Sequence, residues 1–465
     1  MDASELLATI RCMRIVFAGP QLGAVADLAV ALQRLGHEVA AILPFDDAAA
    51  GRTRPTRVQI PIAVGSKRIV AEILQASGPG KLPCYLFRTI EPLLPHSVAR
   101  GIFHSQLVVE LARRLIPSPD VLQLCGWETA LAPAYIRRSN LPFRTVLDVR
   151  EIDAQGSFDG TDFSQTGLPA GFFSPGGVEF FGRLNFLKGG LVLANALTVN
   201  GRSTLAAWQR EPLGRGLNGV LAEQAYKCAP LLYPADADAW DPATDSLLVQ
   251  NFSAEEPRGK AACRAALLAA VGLPKNTRGP IVILNRDDPE SDDGLPASIL
   301  DRWLAGDGRV VILTPRTLES AGLEAAARRV PAGLRIMRQP DAAMQRGAIA
   351  GADFQFFPGA PTAGFVIAAW RAMRYGTLPL ARDHPGRSDL FEDCTASADR
   401  GEGLTWFMDS PDALWDTLGH RAAELYRSSD RFNAVRLRAM QRAANVTMTS
   451  VAEAHVELYR QLGAA

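Results

Sequence analysis

Two kinds of apolar spacing alternate along the chain and predict alternating strands and helices. Near the start, the run "MRIVFAG" (13–19) predicts a buried strand. The apolar positions from Val25 to Leu35 then recur at the spacing of one helix face, and the run "VAAILP" predicts a second strand. Strand, helix and strand in this order predict a βαβ unit, and hence a parallel sheet.

The rest of the first half continues this pattern less regularly. Strands are predicted at "VLQL" (121–124), "TVLDV" (145–149) and "ALTVN" (196–200), with Gly- and Pro-rich segments between them. After the first of these strands, apolar residues recur at helical spacing, which puts the strand-to-helix junction near Gly126 and Glu128 at its tip. Such junctions are where α/β proteins bind ligands.

The second half alternates more cleanly. Its predicted strands are "IVILN", "RVVILT", "LRIM", "FQFF" and "LPLA", and its predicted helices cover 297–305, 318–329, 341–350 and 364–375. Repeated strands and helices of this kind predict a parallel sheet that is covered by helices on both faces.

A segment rich in turn-forming residues, 233–260, separates the two halves and marks a linker. We therefore predict an α/β protein with an extension at 1–12 and two Rossmann-like, doubly wound domains at 13–236 and 240–465. These domains are expected to face each other across a cleft. A length of 465 residues suits two or three domains.

Composition narrows the classes of partner and compartment. Lys plus Arg and Asp plus Glu each total 49, so no global field favours nucleic acid or an anionic membrane, and an anionic ligand needs a local pocket. The six cysteines lie far apart without a C-x-x-C pair or adjacent histidines, which predicts neither a metal site nor disulfides and fits a reducing cytoplasm. Asp2 and Glu5 argue against a secretory signal, and no stretch is long enough to span a bilayer.

Several stretches resemble bacterial glycogen synthases and plant starch synthases, the GT-B glucosyltransferases that use ADP-glucose. The stretches occur in the family's order and are "LGHEVAAILP", "GWETALAPAY", "GLPAGFFSPGGVEFFGRLNFLKGGLVLANALTV", "WDPATDSLL", "GKAACRAALLAAVGLP", "GADFQFFP" and "AMRYGTLPLAR". The resemblance implies the GT-B fold, with a C-terminal helix near 450–462 that returns to the first domain. It also implies a nucleotide sugar held mostly by the second domain, an α-glucan acceptor that approaches from the first, and no cofactor.

The motifs that carry the family's chemistry are where this sequence departs from it. The family follows a strand with H-D-W-H-T-A-L, whose second histidine faces the sugar donor, and Glu128 stands at that histidine's position. A carboxylate accepts hydrogen bonds from sugar hydroxyls but, when ionised, donates none. Glu128 is therefore either a substitute sugar contact or a solvated first-turn residue favoured by the helix dipole. The family's K-T-G-G loop is represented by "AGPQLGAVAD", which has no lysine.

The family's diphosphate clamp is changed as well. Its S-R-L and Q-K-G motifs supply an arginine and a lysine, which correspond here to Arg286 and Asp293. An added negative charge roughly 6 Å from a diphosphate costs on the order of 3 kcal/mol at an effective dielectric near 20. The acids at 287–293 suit Mg²⁺ or Ca²⁺ chemically but lack the spacing of a known metal loop, so a solvated acidic loop is the alternative and no metal site is predicted.

A third motif, P-S-x-F-E-P-C-G-L, carries the family's sugar-facing glutamate. Here no acid occurs from Pro358 to Trp370, and Thr362 or Ala363 falls at the glutamate's position. The family's T-G-G-L-x-D retains one glycine and the aspartate. The donor contacts that the resemblance implies are Arg286, Asp293, Thr362, Gly364, Gly386 and Asp389.

These departures leave two functions in view. The first is a glycogen synthase-like enzyme that transfers glucose from ADP-glucose to an α-1,4-glucan with impaired or absent activity, in which Glu128 is the candidate catalytic residue. The alternative is a non-catalytic GT-B protein that binds glucan or a protein partner in polysaccharide metabolism. An unrelated Rossmann oxidoreductase is disfavoured, since no G-x-G-x-x-G follows a strand.

Overall fold

The computed structural model describes most of the chain and divides it into two compact units. The described residues are 12–21, 23, 26–46, 53–90, 93–94, 96–115, 118–234, 239–285, 295–314, 321–358, 363–384, 386–395, 398–407 and 410–464. The first unit comprises Met1–Leu232 with Met448–Ala465, and the second comprises Tyr233–Thr447.

A nine-stranded sheet forms the centre of the first unit, with the order β12-β11-β7-β6-β1-β2-β5-β4-β3. Strands β12 to β5 in this order pair in parallel, whereas β4 pairs antiparallel with both β5 and β3. Strands β8, β9 and β10 form a separate antiparallel sheet. The strands of the first unit are β1 (Arg14–Ala18), β2 (Glu38–Pro44), β3 (Arg54–Val64), β4 (Lys67–Ser77), β5 (Pro83–Thr89), β6 (Val121–Cys125), β7 (Arg144–Val149), β8 (Ser157–Phe158), β9 (Glu179–Phe180), β10 (Arg183–Asn185), β11 (Ala196–Asn200) and β12 (Cys228–Leu231).

Helices cover this sheet and connect its parallel strands. They are α1 (Ala26–Arg34), α2 (Val98–Arg114), α3 (Ala132–Arg138), α4 (Phe186–Leu193), α5 (Arg202–Trp208) and α6 (Asn218–Glu223), with 3₁₀ turns at Pro79–Lys81, Trp127–Thr129, Gly160–Thr166, Ala170–Phe172 and Ala225–Lys227. Every residue of β6 is buried, as expected for a central parallel strand covered on both faces.

The second unit contains a six-stranded parallel sheet with the order β15-β14-β13-β16-β17-β18. Its strands are β13 (Ile281–Asn285), β14 (Arg309–Thr314), β15 (Leu334–Arg338), β16 (Phe354–Phe357), β17 (Leu378–Arg382) and β18 (Leu404–Trp406). Its helices are α7 (Gly259–Val271), α8 (Ala297–Ala305), α9 (Ala321–Arg329), α10 (Ala342–Gly351), α11 (Ala363–Arg374), α12 (Arg387–Leu390), α13 (Pro411–Trp415), α14 (Ala423–Arg427), which follows a π-helix at Asp416–Ala422, and α15 (Ser429–Ala444).

The last helix, α16 (Met448–Gln461), belongs to the first unit. It packs against α1, and the buried hydroxyl of Tyr459 donates a hydrogen bond of 2.8 Å to Oε1 of Gln123 in β6. This bond fixes the helix to the centre of the sheet.

The α/β fold class with two Rossmann-like units is confirmed. The predicted helix at 297–305 is present with those bounds, and the helices predicted at 341–350 and 364–375 are shifted by one residue. Of the helix predicted at 318–329, the described part is Ala321–Arg329.

The sequence analysis missed the strands β3, β4 and β5 and the long helix α2. A period of two was present in β3, where Ile60, Ile62 and Val64 are buried and the residues between them are exposed. Such alternation is typical of a sheet with one covered face. Across the described ranges, no helix has both the length and the apolar character needed to cross a bilayer.

Candidate functional site

The turn after β6 is shaped by backbone-directed hydrogen bonds. Gly126 has a φ of +83°, a value that favours glycine, and the 3₁₀ turn Trp127–Thr129 follows directly. The hydroxyl of Thr129 donates to the carbonyl of Cys125 at 3.0 Å and lies 3.2 Å from that of Gly126. The chain therefore reverses sharply at the carboxyl edge of the sheet before α3 begins.

Trp127 anchors this turn in the core of the first unit. Its ring lies 5.7 Å from the rings of both Phe158 and Phe186. Two glycines make room for it, because a Cβ at Gly156 would lie 2.2 Å from the indole and one at Gly101 would lie 2.8 Å from it. The position of residue 128 is thus determined by the packing of its neighbour.

Glu128 itself is buried, with 9% of its surface exposed. Its backbone carbonyl accepts a hydrogen bond of 2.7 Å from the hydroxyl of Ser105 in α2. Its Oε2 lies 3.0 Å from the position that a Cβ at Gly126 would occupy, and Pro20, from the turn after β1, lies 3.3 Å from the same position. The interpretation of Glu128 as a solvated first-turn residue is therefore wrong. Within the described part of the chain, its carboxylate makes no hydrogen bond or salt bridge.

Charged groups at the ends of β6 and β7 surround the thiol of Cys125. Asp148, which pairs in register with Cys125, is buried and holds Nε of Arg150 at 2.6 Å and the hydroxyl of Thr198 at 2.9 Å. Burial raises the pKa of the Cys125 thiol to about 12. The positive charge of Arg150 lowers this pKa, whereas the negative charges of Asp148 and Glu128 raise it. Cys125 is therefore a protonated thiol rather than a nucleophile.

The retained residues of the family's glycine motif lie at the carboxyl edge of the second unit's sheet. Gly386 has a φ of +90° and precedes α12, which explains why a glycine occupies it, and Asp389 lies in the first turn of that helix. Arg387 donates to Asp383 at 2.7 Å. His384 meets the ring of Phe365 edge-on, with the ring centres 4.6 Å apart.

Gly364 is the second residue of α11, which begins shortly after β16 ends. The first turn of a helix leaves backbone N–H groups without intrahelical partners, and such groups bind anions in many α/β proteins. Gly364 and Gly386 therefore lie near strand ends that suit a phosphate group, whereas the carboxylate of Asp389, when ionised, repels phosphate and only accepts hydrogen bonds. Arg286, Asp293 and Thr362 lie outside the described residues, as do the other acids of 287–293.

The described ranges contain no group of three or more His, Cys, Asp or Glu side chains that could hold a metal ion. The sequence analysis missed Ser105 and Asp148 as supports of the site. Nothing local in the sequence identifies Ser105, because its partner is 23 residues away. Asp148 did carry a signal, since an acid within the buried strand "TVLDV" needs polar partners.

The chain is similar to glucan synthases in sequence and in structure. Residues 22–223 match the family model described as "Starch synthase catalytic domain". The chain is 28% identical to "Glycogen synthase 2" of Geobacter sulfurreducens over 459 residues, with 94% of each chain covered. It is 32% identical to a glycogen synthase of Variovorax paradoxus over 370 residues, with 76% of this chain and 73% of that one covered.

Solved structures give the same picture of the fold. The catalytic domain of starch synthase IV from Arabidopsis thaliana, bound to ADP and acarbose, matches with a TM-score of 0.82 at 22% identity, covering 97% of this chain and 99% of that one. Anabaena HepE in complex with UDP and glucose matches with a TM-score of 0.56 at 11% identity, covering 97% of this chain and 100% of that one.

Proposed function

Because this chain belongs to the family of bacterial glycogen synthases and plant starch synthases, we propose that it binds ADP-glucose or another nucleotide sugar weakly and recognises an α-1,4-glucan, with glucose transfer strongly impaired. Its fold is the GT-B fold of glycosyltransferases, as predicted. The starch synthase IV structure contains ADP and acarbose, which supports a nucleotide and a glucan as ligands of this chain too. We expect it to act in the cytoplasm.

The observation that carries this proposal is the buried carboxylate of Glu128. It stands where the family has a sugar-facing histidine, at a turn fixed by Ser105 and Trp127, with no hydrogen bond or salt bridge to the described residues. A group held at this edge of a parallel sheet is placed to meet a ligand. An ionised carboxylate there accepts sugar hydroxyls, donates nothing and repels a diphosphate.

Two further replacements point in the same direction. Asp293 takes the place of the lysine in the diphosphate clamp, and no acid lies between Pro358 and Trp370 to take the place of the sugar-facing glutamate. Glycosyl transfer must stabilise an oxocarbenium-like sugar and a departing diphosphate. Loss of one polar group that stabilises charge in the transition state typically lowers the rate roughly 10²- to 10³-fold. Because the family's histidine, lysine and glutamate are all replaced in this chain, a second candidate is a non-catalytic GT-B protein that binds glucan.

The experiment is incubation of the purified protein with glycogen and a panel of nucleotide sugars, scoring both incorporation of sugar into glycogen and hydrolysis of the donor. We expect glycogen to bind in a sedimentation assay and no measurable extension with ADP-glucose. Extension with another donor would show that the protein is a glycosyltransferase with a different donor substrate. Binding without turnover of any donor would favour the non-catalytic candidate.

Variants at Glu128 test whether its carboxylate is the cause of weak ADP-glucose binding. Glu128→Gln removes the charge and adds a donor at nearly constant size, so it should tighten ADP-glucose binding. Glu223→Gln, at an exposed glutamate of α6, is the matched control and should change nothing. Equal ADP-glucose affinities for the two variants would remove Glu128 from the donor site.

A further inference from the structure

A cavity of about 670 Å³ lies at the amino-terminal edge of the second unit's sheet. Asp353, which immediately precedes β16, lines it together with the beginning of α7 and one face of α15. The candidate donor contacts Gly364, Gly386 and Asp389 follow the opposite, carboxyl ends of the strands. The cavity is therefore a separate place in this unit, and its ligand is independent of the proposed function.

Positive charge exceeds negative charge in the lining of this cavity. Arg258, Arg264 and Arg436 line it, and Asp353 is the one carboxylate among the described lining residues. Asp353 already accepts a hydrogen bond of 2.9 Å from the amide of Ile281, forms a short salt bridge with Arg264 and lies 3.5 Å from Arg436. Three arginines against one carboxylate leave a formal excess of two guanidinium charges. Lys260 also lines the cavity, but its Nζ donates to the carbonyls of Ala350 and Tyr375 and burial lowers its pKa, so it is left out of this balance.

The arginines retain unused hydrogen-bonding capacity. The two terminal nitrogens of Arg436 carry two N–H groups each, and among the described residues they reach only Asn433 at 3.1 Å and Asp353 at 3.5 Å. Arg258 is exposed at the rim, and its side chain forms no hydrogen bond or salt bridge with the residues that the structure describes. One arginine would suffice to neutralise Asp353 and stabilise the fold. The other two guanidiniums provide donors in the geometry that suits phosphate oxygens.

Two helix N-termini add to the positive potential. The 13-residue helix α7 begins after Arg258 and the 16-residue helix α15 begins after Ser428, and neither has a side-chain cap. Residues of both first turns, among them Ala261 and Ser429, line the cavity. The exposed Asp430 lies in the first turn of α15 but does not line it. The amides of Lys260 and Ala261 already donate to the carbonyls of Pro257 at 3.1 Å and Arg258 at 3.2 Å, so α7 contributes mainly the positive end of its dipole, which stabilises anions.

Aromatic rings complete the lining. Tyr426 and Phe432 lie with ring centres 5.3 Å apart, and the guanidinium of Arg436 lies 4.6 Å above the ring of Phe432. The volume is that of a site for a small metabolite and exceeds what a lone phosphate fills. We propose that this cavity binds a sugar phosphate, with the phosphate on Arg258, Arg436 and the two helix N-termini and the sugar ring against Tyr426, which Phe432 supports from behind.

Calorimetry of the whole protein with ribose 5-phosphate, inorganic phosphate and ribose tests this site. We expect ribose 5-phosphate to bind most tightly, inorganic phosphate more weakly and ribose not at all. Arg258→Ala should weaken ribose 5-phosphate binding at least about tenfold, since it removes a charge-assisted contact. Because the side chain of Arg258 is exposed and has no partner among the described residues, this variant should retain the wild-type melting temperature.

Two more variants sharpen the result. Arg436→Met should also weaken binding about tenfold or more, with its folding checked by circular dichroism. Arg278→Ala removes the same charge from an exposed arginine of this unit outside the cavity lining and should leave affinity unchanged. Absence of binding by the wild type at millimolar ribose 5-phosphate would overturn the proposal, and so would binding that Arg258→Ala leaves unaltered.

Discussion

The hydroxyl of Ser105 donates a hydrogen bond of 2.7 Å to the backbone carbonyl of Glu128 and accepts one of 3.2 Å from the amide of Leu131. Ser105 is fully buried in α2, so one side chain satisfies two backbone groups at the turn after β6. The position of the Glu128 backbone is therefore set by a helix that precedes it in the chain and packs against the turn.

Ser105→Ala should destabilise the first unit by about 1–3 kcal/mol, because a buried carbonyl and a buried amide lose their partner together. Ser174→Ala is the matched control, since its hydroxyl donates a bond of 3.0 Å to Gly171 in an exposed turn. Urea unfolding followed by circular dichroism gives both values. Equal unfolding midpoints for the two variants would show that Ser105 does not hold the turn.

Gly126→Ala tests the space around the Glu128 carboxylate. The added Cβ would have a φ of +83° and would lie 3.0 Å from Oε2 of Glu128 and 3.3 Å from Pro20. The control is Gly216→Ala, which has the same φ of +83° but a nearest neighbour at 3.8 Å. Gly126 also has a ψ of 159°, a backbone conformation that is essentially restricted to glycine and costs other residues about 1–3 kcal/mol. The additional loss in Gly126→Ala therefore measures this backbone strain together with the crowding. A loss no larger than that of Gly216→Ala would mean that the carboxylate moves aside freely.

The second unit shows why part of the fold could be predicted from the sequence. The helix Ala297–Ala305 and the strand Ile281–Asn285 follow from the spacing of apolar residues, which is a local property of each segment. Burial of Glu128 is not local, because it depends on Ser105 and on Pro20 from another strand's turn. The sequence alone therefore left two interpretations of Glu128 open, a substitute sugar contact and a solvated first-turn residue.

The basic cavity was invisible in the sequence for the same reason. Asp353 meets Arg264 from 89 residues away and Arg436 from 83 residues away. No motif joins these three positions, and each would pass as an ordinary surface charge. Only the packing of α7 and α15 against the start of β16 gathers them into one site.

Lys227 gives a prediction about pH. Burial lowers its pKa to about 8, and its Nζ donates 2.9 Å bonds to the carbonyls of Val192 and Ala194, which a neutral amine still satisfies. Between about pH 8 and the ordinary lysine value of 10.5, the unfolded chain binds a proton that the folded chain has lost. The free energy of unfolding should therefore rise with pH in this window.

Comparison with Lys227→Met isolates this contribution. The stability of the wild type relative to the variant should increase from pH 8 to pH 10 and stay constant below about pH 7. Lys275→Met, at an exposed lysine, should show no such trend. Urea unfolding at a series of pH values measures the difference, and a flat profile for Lys227→Met would contradict the lowered pKa.

The last prediction concerns Glu128 and Asp293 together. Glu128→His and Asp293→Lys each remove a negative charge from the positions that correspond to the family's donor contacts, and the second adds a positive one. At roughly 6 Å and an effective dielectric near 20, each unit of charge is worth about 3 kcal/mol before screening by salt. The double variant should therefore bind ADP more tightly in calorimetry than either single variant. Asp307→Lys, the same change at an exposed position of the second unit, should have little effect.

Glucan extension should not return in Glu128→His alone, because the diphosphate clamp and the sugar-facing acid are still absent and groups that act as a unit are strongly non-additive. Incorporation of labelled glucose into glycogen measures this directly. The proposal of impaired transfer would be contradicted if the unmodified protein extended glycogen at roughly 10 s⁻¹, the rate of an ordinary enzyme, and if Glu128→Ala abolished that activity. Glu128 would then be a working catalytic substitute for the family's histidine, and impaired transfer would be the wrong conclusion.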